Sequence, residues 1–500
     1  MPKDPPASET FAAIDLGSNS FHMIVCRLGD GELHVEDKLR EMVRLGAGLD
    51  RKGRLDGETQ ARALACLERF GQRIGGLPRE RIRAVGTNTL RVARNAGDFL
   101  ARAEQALGHS IEIIAGTEEA RLIYLGVAHA TGADEKRRLV MDIGGGSTEL
   151  IIGEGFEPRY MQSLYMGCVS MTRDHFADGG ITPKALKRAG LAARVELEPV
   201  QAIYRELGWE RVLGASGSIR AIRNVVQAEG WSDDGITLAS LETLREALLD
   251  AGHVDRLRLK GLAAERAPVF AGGVVVLLST FEALGIEHMR VSDGALREGL
   301  IHDMLGRVQH EDVRARAVNG LARRYHVDLP HARRVARTAR DFTTQVAEKW
   351  SLDEAESRQW LEWAALLHEI GLDIAHGGFH KHGAYIAEFS DLSGFSRNRQ
   401  RLLAALIRSH RRKFSAGAFD HLVERHRHRA RHWAVLLRLA VLLHRSRSPE
   451  ALPKIKLKAG EGRLRVKFPD GWLDDHLLTR TDLALEADYL QAAGFTLEFS

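Results

Sequence analysis

The sequence predicts an α/β protein of two similar lobes that face each other, followed by an all-helical region and a short tail containing strands. Three observations predict it. From Phe11 to about Ile301, short apolar runs rich in β-formers alternate with helical stretches. Two segments within that part repeat each other. After about Asp303 the pattern changes to one amphipathic helix after another.

In chain order, strands are expected at Phe11–Leu16, Phe21–Cys26, Ile82–Val85, Ile111–Ile114, Leu139–Ile143, Glu149–Ile152 and Val212–Leu213. Helices are expected at Gly57–Gly75, Gly97–Leu107 and Thr117–Ala130. Beyond Asp303, helical periodicity covers Ala315–Tyr325, His331–Trp350, Asp353–Ile370, Asn398–His410 and His421–His444. Alternating runs at Gly462–Phe468 and Ala492–Phe499 predict a small β unit at the end.

The 500 residues exceed one ordinary core, and about two to four domains are expected. Apolar residues make up 44% and charged residues 28%, the balance of a globular chain that needs no staples. Cys26, Cys66 and Cys168 form no CxxC pair, which points to a reducing, cytoplasmic compartment. Met1–Thr10 is polar and Pro-rich, unlike a signal peptide. The longest apolar stretch, Ala267–Phe281, contains glycines and reads as too short to span a bilayer, so no membrane insertion is expected. The net charge of +4 is uneven. Residues 397–447 hold 14 Lys/Arg against Asp420 and Glu424, or +12, leaving −8 for the rest. Such a run suits a polyanion. Aromatic residues total only 6% and are not interleaved with it for base stacking, so nucleic acid is not expected.

The repeat carries the chemistry. Ala12-Ala-Ile-Asp-Leu-Gly-Ser-Asn-Ser-Phe-His-Met-Ile-Val matches Leu139-Val-Met-Asp-Ile-Gly-Gly-Gly-Ser-Thr-Glu-Leu-Ile-Ile, with Asp15 equivalent to Asp142 and Gly17 to Gly144. Each copy is a strand ending in Asp-x-Gly, a small polar turn and a second strand. Amides of Gly17, Ser18, Asn19 and Ser20, and of Gly144, Gly145, Gly146, Ser147 and Thr148, can form nests for phosphate oxygens. An Asp at the strand end suits a divalent cation or its water shell. No Lys follows the glycines as in a Walker A loop. A third turn, Gly214-Ala-Ser216-Gly217, precedes a helix start, where either phosphate contact or a plain strand–helix turn is expected.

These segments, with Glu118-Glu-Ala-Arg, Met166-Gly-Cys and Ser292-Asp-Gly-Ala-Leu-Arg-Glu-Gly299, resemble the exopolyphosphatase and guanosine pentaphosphate phosphohydrolase family from about Phe11 to the C-terminus. The resemblance implies ribonuclease-H-like lobes of the actin/Hsp70/sugar-kinase type at 1–130 and 131–305, an HD-like helical domain at 306–450 and a small C-terminal domain at 451–500. It implies Glu119 as the carboxylate that activates water for attack on a terminal phosphorus. It implies Asp142 and Glu149 as holders of Mg2+, and Arg91 as a phosphate-binding fork; Mn2+ in place of Mg2+ and an additional monovalent cation are left open. Glu118 reads as a first-turn acid opposing the helix dipole, Arg94 as a surface residue, Cys168 as core and His22 as a structural histidine. Arg266 and Arg297 lie in family-like motifs without a derivable role.

The helical part resembles HD-type phosphohydrolases around His331 and Leu366-Leu-His-Glu-Ile-Gly-Leu. An HD site carries Asp where Glu369 stands, and His376, His380, His382 and His410 are scattered. Guidance of an anionic chain is therefore expected there rather than an active metal centre.

The expected activity is hydrolysis of a phosphoric anhydride, by a homodimer on the family likeness. Polyphosphate is placed first as substrate, on Gly146, on Ser292-Asp-Gly294, on the segment His376-Gly-Gly-Phe-His-Lys-His and on the basic run. Guanosine pentaphosphate is the alternative. A kinase of the same superfold would need an acceptor alcohol. A sensor without turnover would not need the acidic set.

Overall fold

The computed structural model describes residues 9–29, 32–50, 52–132, 136–308, 313–414, 416–420, 422 and 424–500. The polar N-terminal stretch read as lacking a leader falls mostly outside the described residues, as do His421 and Val423 of the last predicted long helix. The chain forms two compact units, Met1–Glu311 and Asp312–Ser500.

The first unit holds two sheets of matching order. Its first lobe contains β1 (Glu9–Leu16), β2 (Phe21–Gly29), β3 (Glu32–Glu41), α1 (Gly57–Ile74), β4 (Ile82–Gly86), α2 (Asn88–Val92), α3 (Ala96–Leu107) and β5 (Ile111–Ile113), followed by α4 (Gly116–Thr131). The second lobe contains β6 (Arg138–Ile143), β7 (Thr148–Glu154), β8 (Glu157–Leu164), α5 (Cys168–His175), α6 (Pro183–Leu207), β9 (Arg211–Gly214), α7 (Gly217–Ala228), β10 (Ile236–Thr237), α8 (Leu238–Ala251), α9 (Ala267–Leu284) and β11 (His288–Val291), with α10 (Leu296–Val308) after it. The sheet orders are β3-β2-β1-β4-β5 and β8-β7-β6-β9-β11-β10. In each, an antiparallel meander is continued by parallel strands. The sequence repeat thus folds into the same hairpin in both lobes. Asp15 pairs across its hairpin with His22, and Asp142 with Glu149.

Sequence patterning finds β1, β2 and β4 because they are buried on both faces and read as apolar runs. It misses β3, whose sequence Glu-Leu-His-Val-Glu-Asp-Lys-Leu-Arg-Glu is mostly charged, as suits a sheet edge. It also misses β8, at an edge of the second sheet, whose sequence Glu-Pro-Arg-Tyr-Met-Gln-Ser-Leu contains no continuous apolar run. The apolar run at Ala267 extends to Leu284, three residues past the expected end, in an 18-residue helix apolar enough to cross a membrane. That helix is 78% buried in the core of the second lobe, among Leu139, Met141, Ile222 and Leu244.

Helices α4 and α10 cross where both are pared to backbone. A Cβ on Gly299 would lie 1.8 Å from the Leu122 carbonyl oxygen, and one on Gly126 2.0 Å from that of Ala295. Beside this crossing, Arg83 and Arg121 meet Glu118 and Asp303 in a buried network, with Arg83–Asp303 at 2.6 Å and Arg121–Glu118 at 2.8 Å. Glu118 stands in the first turn of α4, as expected, and is there also a buried partner of two arginines.

The second unit contains α11 (Val313–Arg324), α12 (Leu329–Val346), α13 (Glu354–Leu367), α14 (Phe379–Phe389), α15 (Arg397–Ser409), α16 (Glu424–Leu443), β12 (Lys456–Gly460), β13 (Arg463–Lys467), α17 (Trp472–Asp475), α18 (Leu477–Gln491) and β14 (Thr496–Phe499). The tail expected at 451–500 does not hold a core of its own. Leu457, Leu464, Val466 and Leu497 of its sheet join the core of Trp360, Phe395 and Trp433. Arg438 pairs with Glu486 of α18, tying the tail to α16.

Candidate active site

A cavity of about 490 Å³ lies between the two lobes of the first unit. Both hairpin turns line it through Gly17–Ser20 and Gly144–Ser147, and the third turn contributes Ser216 and Gly217. The two hairpin turns meet closely. A Cβ on Gly145 would stand 2.7 Å from the Ser18 Cβ, and one on Gly146 2.3 Å from the Asn88 Oδ1. Glycine is needed at these positions for close approach, not for an unusual φ.

The first turn is fixed from outside the cleft. Its carbonyls at Ser18 and Asn19 accept from the amides of Gly46 and Arg44, at 2.7 and 2.8 Å. The buried Asn19 side chain leaves its Nδ2 donor without a partner. An orphaned donor beside a glycine turn is a place for an anionic oxygen. In the second turn the carbonyls of Gly144 and Gly145 accept from the first amides of α5, which locks that loop to the helix.

Glu119 sits in the first turn of α4 and lines the cavity. Arg91 donates to its Oε2 at 2.7 Å and to the Ile114 carbonyl at 3.1 Å. Arg91 does not itself line the cavity. It holds the carboxylate from behind, which differs from the phosphate-binding fork expected of it. Burial pulls the Arg91 guanidinium down, but Glu119 more than offsets this and holds it above its ordinary value.

Asp15, Asp142 and Glu149 gather near Glu119. Asp15 is pushed up to about 7 by burial and by the Glu119 charge. Asp142 and Glu149 are raised well above the ordinary carboxyl range, by burial and then by Glu119. Each of these acids is penalised by its neighbours, so the cluster lacks positive charge at its centre. Asp15 Oδ1 and Glu149 Oε2 are buried without hydrogen-bond partners, while Ser163 donates to the other Glu149 oxygen at 2.7 Å. An all-oxygen donor set with orphaned carboxylate oxygens fits a hard divalent cation.

A basic rim faces these acids. Lys38, Arg40, Arg220, Arg266 and Arg297 line the same cavity. Arg40 pairs with Glu265 at 2.9 Å across the lobes. Arg266 is held below its ordinary value by burial and by Arg40, and a Cβ on Gly217 would meet its guanidinium at 2.1 Å. Arg297 donates to His22 Nδ1 at 3.1 Å, which leaves the proton on Nε2 to be donated to Ser20 Oγ at 2.7 Å. Burial and Arg297 push the His22 imidazole down to about 2, so it stays neutral. His22 is thus a structural histidine that connects the first turn to Arg297.

Three expected phosphate contacts do not face the cleft. The Thr148 hydroxyl donates to the Met166 carbonyl at 2.5 Å. Gly214 ends β9 under Ile219 and Met289, where a Cβ would lie 2.5 Å from Ile219. Arg91 is the third, as described. Ser216 does line the cavity, with its Oγ accepting from the Ile219 amide as the cap of α7. Sequence reasoning missed Lys38 and Arg40, which sit on an edge strand with no motif around them, and Arg220, which follows the third glycine turn by three residues. Arg266 and Arg297 were in view without a role, and only the closing of the lobes supplies one.

Comparison with known proteins gives a consistent result. A family model described as the Ppx/GppA phosphatase family matches residues 24–308, and one described as Ppx/GppA phosphatase, domain III, matches residues 313–487. The chain is 43% identical over 488 residues to a guanosine-5'-triphosphate,3'-diphosphate pyrophosphatase of Aeromonas hydrophila, covering 98% of both. It is 42% identical over 491 residues to the protein of that name from Vibrio cholerae, again covering 98% of both. Among solved structures, the Ppx/GppA family member of Aquifex aeolicus matches with a TM-score of 0.50 and 26% identity, over 60% of this chain and 99% of that one.

Proposed function

This chain belongs to the Ppx/GppA phosphatase family, and from that premise we propose that it hydrolyses the terminal 5′ phosphate of guanosine pentaphosphate, giving the tetraphosphate and inorganic phosphate. The observation that carries the hydrolytic reading is the opposition of Glu119 and the two glycine turns to a rim of five basic side chains in one cavity. The choice of substrate is supported by the names of relatives similar to this chain over nearly its whole length.

Polyphosphate, placed first on the sequence, moves to second place. Gly146 is explained by its approach to Asn88, and Gly294 by its approach to the Gly126 carbonyl, so neither selects a substrate. Much of the basic run is paired inside its own unit: Arg429 with Glu356, Arg438 with Glu486, Arg445 with Asp482 and Arg447 with Glu369. Its free charge is smaller than the sequence count.

In the proposed reaction the glycine turns and Asn19 bind oxygens of the terminal phosphate, while Arg220, Arg266 and Arg297 hold the rest of the phosphate chain. Glu119 orients a water and accepts its proton as the water oxygen attacks phosphorus. The bond from phosphorus to the bridging oxygen breaks in line, and its electron pair leaves with the remaining phosphate. Asp142 and Glu149, with Asp15 beside them, would hold Mg2+, which would supply neutralisation of the charge on the transferred group, and Mn2+ would suit the same oxygens. A cytoplasmic setting belongs to this reading, supported by three buried cysteines that are all unbridged. So does the homodimer, to be checked by sedimentation.

The test is phosphate release from guanosine pentaphosphate and from long polyphosphate, measured side by side with and without Mg2+. Turnover of the pentaphosphate is expected to be faster, and Glu119→Gln to reduce it by about 10²–10⁴-fold while substrate still binds. Faster release from polyphosphate would reverse the substrate order. Full activity in Glu119→Gln would remove the base from the mechanism.

A further inference from the structure

The second unit has a cavity of about 380 Å³ that nothing in the hydrolytic reading uses. His331, His368, Glu369 and His410 line it. The imidazoles are buried, with His368 and His410 each 1% exposed and His331 3%. They are also oriented. His368 donates from Nδ1 to the Ala365 carbonyl at 2.6 Å, and His410 from Nδ1 to the Ile407 carbonyl at 2.7 Å. Each bond fixes the tautomer with a bare lone pair on Nε2, and neither Nε2 has a partner. His331 Nδ1 is likewise buried and unpartnered.

Ligand atoms of His331, His368 and Glu369 lie within 4.8 Å of one another. For ions bonded at about 2.0–2.2 Å, ligands of one centre stand roughly 3–3.5 Å apart, so small side-chain adjustments close the set. Arg447 donates to Glu369 Oε1 at 2.6 Å and turns its carboxylate in the manner of an outer-shell partner. His410 stands edge-on to His368, with ring centroids 5.2 Å apart. Hydrogen-bonded imidazoles with inward lone pairs are how proteins present nitrogen to a metal. Mixed imidazole and carboxylate donors select a borderline transition ion over Mg2+.

We propose that His331, His368 and Glu369 form a binding site for a transition-metal ion such as Zn2+ or Co2+, with His410 beside it as a further nitrogen donor. The site shares no residue with the oxygen-lined cleft of the first unit. This proposal departs from the expectation that the region guides an anionic chain rather than forming an active metal centre.

The test uses the full chain with any affinity tag removed, stripped by chelator and titrated with Co2+ and with Zn2+. About one equivalent of Co2+ is expected to produce the visible absorption of a nitrogen-ligated ion, and Zn2+ to raise the melting temperature. Asp142→Asn, which removes an oxygen donor of the cleft, should leave the nitrogen-ligated Co2+ absorption unchanged. His368→Gln and His331→Gln, checked for native circular dichroism, should weaken binding by about tenfold or more. A wild-type chain without the Co2+ spectrum, or folded histidine variants that bind as tightly as wild type, would overturn the site.

Discussion

Glu119 and Arg91 show how one pair divides labour. The carboxylate reaches the cavity and the guanidinium steadies it, so removing either has a different signature. Arg91→Ala leaves Glu119 without its buried cation and is expected to reduce kcat by about 10-fold or more, with KM little changed. An increase in KM at constant kcat would instead make Arg91 a substrate-binding group. Asp15 gives a prediction in pH. Its carboxyl ionises near pH 3.8 when unfolded and at about 7 when folded. The folded state therefore holds the extra proton between these values, and stability falls as pH rises through that window. Asp15→Asn removes this loss. It is expected to be more stable than wild type by roughly 2–4 kcal/mol at pH 8 without divalent cations, with the gap closing below about pH 4. Thermal melts across the range check it, and an equal gap at both ends would refute the electrostatic cause. Asp142 and the glycine turns were legible residue by residue, because the repeat writes them into a short contiguous pattern, whereas Glu119 lies outside the repeat and was reached only through the family resemblance. The roles of Arg91, Lys38, Arg40 and Arg220 were not legible, because these residues come from three separate elements, α2, β3 and α7, that only the fold brings together.

Among the elements, the crossing of α4 and α10 is the tightest contact that ties the lobes. At Gly299 a methyl group would meet backbone, which cannot yield as a side chain can. Gly299→Ala is expected to destabilise the chain by about 1–3 kcal/mol or more, read in urea unfolding, whereas Ala at the uncrowded, negative-φ Gly57 should change little. Unchanged midpoints in Gly299→Ala would mean that the helices part easily. The ion network beside this crossing adds to its specificity. Arg83→Met leaves Asp303 and Glu118 with one guanidinium fewer and should cost about 3–5 kcal/mol. Most strands and helices were readable as elements because burial imposes a period on the residues. The edge strands β3 and β8 escaped because half of such a strand meets solvent, and so did β12 and α18 in the tail.

For the whole molecule, the cleft gathers a cluster of acids and several guanidinium groups in one cavity. Attraction of a multiply charged phosphate into it is screened by salt. The value of kcat/KM is expected to fall several-fold between low and physiological ionic strength, with kcat changing less, and a salt-independent kcat/KM would deny the rim a role in capture. By itself, the sequence determined the duplicated hairpins, the helical second unit and the acids at the hairpin strands, since these are properties of contiguous patterns and local period. Only the tertiary structure decided which cations line the cleft, that Arg91 pairs with Glu119, that the tail shares the helical core, and that histidines spread from 331 to 410 share one cavity. Those facts depend on which residues distant in the chain are packed together, and a contact between distant residues leaves no periodic trace in the sequence around either partner.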